Sequence, residues 1–230
     1  YRKNWEMIIE VCANSYEYAI KAEKAGADRI ELCKDLHLDG LTPAYETAKK
    51  TINELSIPVF ILIRPREGDF NYSNEEYELM KADIVKFKEM GCKGIVSGIL
   101  NEDKTIDLKR TKELVELSRP LEFTFHRAFD IVPNPIKEIE NLIELGIDRV
   151  LTSGQEDSAI NGIKLLEKLI KIAANRITIM PGSGVKSINI KEFIAIGANE
   201  IHGSFSKNNK TQIEVLEEIC YTIISKFNNV

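Results

Sequence analysis

The sequence has no apolar run approaching the roughly 18 residues of a membrane span, which removes a bilayer-crossing helix from the readings. It has no GxGxxG and no GxxxxGK[ST], so neither a dinucleotide nor a P-loop fingerprint is present, and no nucleotide cofactor is expected. It has no basic excess. Lys and Arg number 31 against 36 Asp and Glu, a net charge of -5, which argues against a nucleic-acid footprint and against docking on anionic membranes. Cysteine is scarce and dispersed: Cys12, Cys33, Cys92 and Cys220 form no CxxC pair. That spacing excludes a disulfide scaffold and a structural zinc knot, and points to a reducing cytoplasm. The opening residues YRKNWE lack the apolar stretch of a secretory signal, so residues 1–6 are read as an N-terminal extension or an appended remnant. No linker-like stretch interrupts residues 7–230, which are expected to form one domain, a length that α/β barrels reach undivided. The expected partner is an ion or a small anionic molecule, with a homo-oligomer left open.

What is present is a strict alternation of strand and helix. Strands are predicted at residues 8–12, 29–33, 58–64, 94–98, 121–126, 149–152, 176–180 and 200–204. Helices are predicted at residues 15–25, 43–55, 75–90 (capped by Asn74), 107–117, up to 145, 156–173, 190–196 and 212–227. Eight such units call for parallel strands joined by helical crossovers and suggest a closed (β/α)8 barrel, with a doubly wound open sheet as the competing arrangement. A weak internal repeat supports closure: GADRI at Gly26, GCKGI at Gly91, GIDRV at Gly146 and GANEI at Gly197 each place a helix-ending glycine before an even-numbered strand.

The stretch LEFTFHRAFD organises the functional reading. Leu121, Phe123 and Phe125 alternate with Glu122, Thr124 and His126, and the strand turns polar where it ends, at His126, Arg127 and Asp130. Applying the same alternation to the other strands sends Ile9, Val11, Ile30 and Leu32 outward. Glu10, Cys12, Glu31, Cys33, Arg64, Thr178, Met180, Glu200 and His202 then face the interior, while strands four and six stay ambiguous. An isolated charge in such an interior costs several kcal/mol unless it is paired, and Arg64, Arg127 and His126 are the expected partners of Glu10 and Glu31. The resulting pocket of Glu10, Glu31, Arg64, His126, Arg127 and His202 lies where barrel enzymes build their sites, at the C-terminal strand ends. The opposing explanation is a polar network that only closes the barrel top.

Two further features bear on ligands. The loop containing Gly182, Ser183 and Gly184 follows strand seven, where barrels often hold a phosphate, although Gly-Ser-Gly is equally a plain turn. Cys12 and Cys33 end adjacent strands in matching tripeptides, EVC and ELC. Two thiolates about 4.8 Å apart could hold a soft ion such as Cu(I), with Met180 and the histidines assisting; the alternative is a pair of small buried cysteines. Cys92 and Cys220 read as structural and His37 as solvated.

The segments EVCANS, AGADRIELC, GLTP, PVFILIRPREGDFNYS, TFHRAFD, DRVLTSGQ, IMPGSGV and IHGS, in this order from Met7 to about Phe205, resemble the CutC family of copper homeostasis proteins. The resemblance implies a TIM-barrel fold, a cytoplasmic location and a role in copper handling through Cu(I), with Cys12 and Cys33 at the positions of the family's proposed copper ligands. Asp39-Gly40 stands where a glycine pair is usual before LTP. The other reading is an enzyme of unassigned reaction. In it Arg64, Arg127 and the PGSGV amides would hold an anionic or phosphorylated substrate, and His126 or a pocket Glu would move a proton.

Overall fold

A computed structural model describes residues 7–205 and Glu214. The expected extension at 1–6, the helix at 212–227 and Cys220 lie outside the described residues. Eight parallel strands run β1 Ile8–Ala13, β2 Arg29–Leu32, β3 Val59–Leu62, β4 Gly94–Ser97, β5 Glu122–Phe125, β6 Arg149–Thr152, β7 Thr178–Pro181 and β8 Glu200–Gly203. Helices follow them in turn: α1 Tyr16–Lys24, α2 Tyr45–Glu54, α3 Asn74–Glu89, α4 Leu108–Ser118, α5 Pro135–Glu144, α6 Ile163–Ala173 and α7 Ile190–Ala195. None of the described helices is long and apolar enough to cross a membrane.

The strands pair in the order β8-β1-β2-β3-β4-β5-β6-β7. The two end strands then come back together, since a Cβ placed on Gly182, just past β7, would sit 3.5 Å from the Cβ of His202 in β8. Among the described residues no ladder bonds join β7 to β8, so the ring is nearly closed. An open doubly wound sheet would hold its edge strands apart, and this arrangement excludes it.

The internal repeat has a physical basis. Gly26, Gly91, Gly146 and Gly197 all adopt positive φ, from +72° to +101°, the left-handed helix ending that glycine takes without a Cβ penalty. Two of the four copies add an aspartate that holds the barrel's lower rim: Asp28 Oδ2 accepts from Ile9 N–H at 2.9 Å and Asp148 Oδ2 from Phe123 N–H at 2.7 Å.

Alternation then separates two apolar regions. Ile9, Val11, Ile30, Leu32, Ile61, Ile95, Phe123, Val150, Ile179 and Ile201 face the helices and join the main core. Cys12, Cys33, Phe60, Leu62 and Val96 form a separate small cluster on the opposite strand face, inside the ring. A β-sheet buried on both faces explains why so few strand residues see solvent.

Two of the departures from the expected boundaries have a clear physical cause. The cap of α3 is Ser73 rather than Asn74: its hydroxyl accepts from Glu76 N–H at 3.2 Å while the Glu76 carboxylate accepts from Ser73 N–H at 2.8 Å, a reciprocal capping box. Helix α6 starts at Ile163 instead of 156, because the chain first folds back on the end of β6. There Gly162 lies so close that an added Cβ would fall 2.0 Å from the Ser153 carbonyl oxygen. The cap assignment predicts that Ser73→Ala lowers unfolding free energy by about 1 kcal/mol while Asn74→Ala stays within about 0.5 kcal/mol of wild type. Urea denaturation measures both, and a larger loss at Asn74 would refute it.

Candidate functional site

The interior is built in layers, each supplied by alternate strands. The repeat places Arg29, Gly94, Arg149 and Glu200 at equivalent positions of β2, β4, β6 and β8. Gly94 leaves a space that the Phe60 ring fills, so closely that a Cβ there would fall 2.5 Å from Phe60 Cδ2. Both guanidiniums lie against that ring, with Cζ at 4.8 Å from its centroid for Arg29 and 5.1 Å for Arg149. Both also grip Glu200: Arg29 Nη2 donates to Oε2, and Arg149 Nε donates to the same oxygen at 3.0 Å.

Arg29 carries this layer upward. It lies directly across from Glu10 in the β1–β2 register, and its Nε donates to Glu10 Oε2 at 2.5 Å. Burial alone would push the Glu10 carboxyl up, but the facing Arg29 guanidinium and the bond from His202 bring it down to about 2. Glu10 is therefore a fixed anion. Its other oxygen meets His202 Nδ1 at 2.7 Å, which turns His202 Nε2 toward Glu31 Oε2 at 3.4 Å. Burial works against charge on His202, yet Glu31 and Glu10 together raise its pKa. Burial raises that of Glu31, which also accepts from the Cys12 thiol.

Cys12 sits beside Glu31 in the strand register, and its Sγ lies 3.4 Å from Cys33 Sγ. Both thiols are buried, at 6% and 1% exposure. The bond to Cys33, burial and the neighbouring Glu31 carboxylate push Cys12 well above the ordinary thiol range, so it enters the site protonated. Cys12, Glu31 and His202 bring a sulfur, an oxygen and a nitrogen within 4.8 Å of one another.

Arg64, His126 and Arg127 do not join this group, which corrects the expected pairing of Glu10 and Glu31. Arg64 is a loop clasp: Nη1 donates to the carbonyls of Leu38 and Gly40 at 2.6 and 2.9 Å, and Nη2 to Gly68 at 3.2 Å. The clasped turn runs through Asp39 and Gly40 at φ +62° and +84°, so two successive left-handed residues stand where a glycine pair is usual. His126 Nδ1 accepts from Ala128 N–H at 3.2 Å. Burial, then Arg64, holds its pKa down to about 3. Arg127 is half-exposed and donates to Asp130 at 2.8 Å. Among the described residues, His126 Nε2 is buried without a hydrogen-bond partner, Tyr72 and Arg64 interact with each other, and Phe70 lies against both Arg64 and His126.

In the strand-seven loop, the Gly182 N–H is already committed to the Thr152 carbonyl at 3.0 Å and cannot cradle an anion. Ser183 and Gly184 follow at φ +74° and +70°. The Ser183 hydroxyl donates to the Asp157 carbonyl at 2.9 Å.

Comparison with known proteins agrees with this architecture. The CutC family profile matches residues 7–207. This chain belongs to the CutC family. Similar members include a copper homeostasis protein cutC homolog of Homo sapiens, 46% identical over 86% of this chain and 72% of its own length. A CutC family protein of Photorhabdus laumondii is 45% identical over 86% of this chain and 80% of its own. Among solved structures, the putative copper homeostasis protein CutC from Streptococcus agalactiae superimposes with a TM-score of 0.82 at 33% identity, covering 86% of this chain and 98% of that one.

Sequence reasoning missed Arg29 and Arg149 as the interior cations. The signal was available: both occupy the same place in the repeat, GADRI and GIDRV, and alternation puts Arg29 on the face of Glu31 and Cys33. Replacing Arg29 by Met leaves Glu10 and Glu200 short of a counter-charge in the barrel, and a loss of about 3–5 kcal/mol is expected in denaturant titration; a change below about 1 kcal/mol would contradict the network. His126 gives a pH prediction. As pH falls below its ordinary 6.5 the unfolded chain takes the proton first, while the folded one resists to about 3. Stability should therefore drop by about 1.4 kcal/mol per pH unit from this group in that window. His126→Gln should flatten the profile between about pH 6 and 4.5, and parallel curves would refute the assignment.

Proposed function

We propose that this protein binds Cu(I) through the thiolates of Cys12 and Cys33 and serves copper handling in the cytoplasm. The observation that carries the reading is the pair of buried sulfurs 3.4 Å apart. Two thiolates sharing one ion stand farther apart than this, so the side chains of both cysteines must open to admit a Cu(I) between their sulfurs. The donor type agrees, because thiolates select Cu(I) over harder ions. The apolar side chains of Phe60, Leu62 and Val96 packed with the cysteines would keep water from the bound ion. Family membership adds support, two relatives being described as copper homeostasis proteins.

A second reading has its own observation. The unpartnered His126 Nε2, with the Arg64 guanidinium charge beside it, is what a small anion could satisfy. With Nδ1 accepting from Ala128 and the imidazole neutral, His126 would offer Nε2–H as a hydrogen-bond donor and would not be the proton acceptor of an enzyme's reaction. In that case the Ser183 and Gly184 amides, with Arg127, are the remaining candidates for a phosphate.

Competition against a Cu(I) chelator tests the first reading. Cys12→Ser and Cys33→Ser should each weaken Cu(I) binding by about a hundredfold or more, and wild-type affinity should rise about tenfold per pH unit for each thiol proton released, the Cys12 proton among them. Equal affinity in all three proteins would dismiss the dithiol site.

A further inference from the structure

Cys12 belongs to two arrangements at once. On one side its sulfur meets Cys33 Sγ at 3.4 Å. On the other it joins Glu31 and His202, whose ligand atoms lie with its own within 4.8 Å; Cys33 is not part of that set. The two sides differ in chemistry. A pair of thiolates is soft, whereas one thiolate, one imidazole and one carboxylate form a mixed donor set of the kind that borderline divalent ions take. Three protein ligands leaving a fourth position open is the pattern of reactive zinc sites.

The imidazole is already aimed for this role. A metal-binding histidine characteristically gives its other ring N–H to a carboxylate, which fixes its orientation and raises its basicity. Here Glu10 Oε1 holds His202 Nδ1 at 2.7 Å, Arg29 holds the second Glu10 oxygen at 2.5 Å, and Nε2 is turned to Glu31 at 3.4 Å. Gly182 packs beside the ring: a Cβ there would make ordinary contact with His202 Cδ2 at 3.4 Å but would clash with Leu151 Cδ1 at 2.4 Å. All three ligand residues are buried, so the set is not an incidental surface cluster.

We propose that Cys12, Glu31 and His202 form a three-ligand site for a borderline divalent cation of the Zn(II) class, with Glu10 as its positioning residue. The site shares only Cys12 with the dithiol pair. One sulfur cannot fully serve both, so Cu(I) and Zn(II) binding exclude one another, and a rise in Cu(I) displaces the divalent ion. The divalent site itself does not require that Cu(I) reading; the exclusion does.

The test uses the full chain with Co(II) alone as the spectroscopic stand-in, then Zn(II) alone as competitor. Wild type should show tetrahedral d–d bands with a thiolate-to-cobalt charge-transfer band, removed by one equivalent of Zn(II). Cys33→Ser should retain these bands and hold Zn(II) affinity within about threefold, while Cys12→Ser loses the charge-transfer band. His202→Gln should weaken Zn(II) by about a hundredfold and Glu10→Gln by about ten- to a hundredfold, each checked for folding by circular dichroism. Should the His202 or Glu10 variant not fold, the contrast between Cys12→Ser and Cys33→Ser decides alone. Absence of tetrahedral bands in wild type, persistence of the charge-transfer band in Cys12→Ser, or loss of the bands in Cys33→Ser would overturn the mixed site. Loss in Cys33→Ser would place the ion on the dithiol pair instead. The Cu(I) reading fails separately, if Cys33→Ser keeps wild-type Cu(I) affinity whatever the cobalt spectra show.

Discussion

Arg29, held between Glu10 and Glu200 inside the ring, is the interaction on which the rest of the site depends. Three ionised groups taken out of water are costly, and their mutual attraction is weak evidence for net stability. What the arrangement supplies is direction. It keeps Glu10 ionised, Glu10 orients His202, and His202 faces Glu31 and Cys12. Arg149 and the Phe60 ring complete the support from below, with Arg149 reaching out as well to the exposed Glu122 at 2.6 Å. The barrel therefore has a charged lower layer and an upper one of mixed sulfur, nitrogen and oxygen donors, joined through a single carboxylate.

This division shapes what the C-terminal mouth can do. One wall, from β8, β1 and β2, collects sulfur, nitrogen and oxygen donors around Cys12. The other, after β3 and β5, carries Arg64 and His126, whose cationic and neutral N–H groups can only donate. A metal suits the first wall and an anion the second. Arg64 also ties the loop after β2 to the loop after β3, since its backbone exchanges bonds with Thr42 at 2.9 and 3.0 Å. Its guanidinium, bonded to the carbonyls of Leu38 and Gly40, also holds the turn that lies against Cys33.

Much of the fold was legible because period-two alternation and helix-ending glycines are local signals. The strands and the barrel followed from them, as did the inward set Glu10, Cys12, Glu31, Cys33 and His202. Pairing was not local. Arg64 was assigned to the carboxylates because it ends a strand with an inward pattern, but its guanidinium turns to loop carbonyls that no periodicity reveals. Arg29 begins its strand, where an arginine reads as a solvated end, and only the closed ring brings it onto Glu200, 171 positions away. Strand six stayed ambiguous for the same reason, since Arg149 looks like a boundary residue until the Phe60 ring and Glu200 are placed beside it. The Ser73 cap was hidden by Asn74, an equally good cap type, and only the reciprocal bond to Glu76 separates them.

X-ray absorption at the copper edge of the Cu(I)-loaded protein tests the dithiol site most directly. The geometry around Cys12 and Cys33 predicts a first shell dominated by two sulfur scatterers. A shell of nitrogen and oxygen alone would contradict it, leaving the cysteine pair as barrel packing and the copper elsewhere.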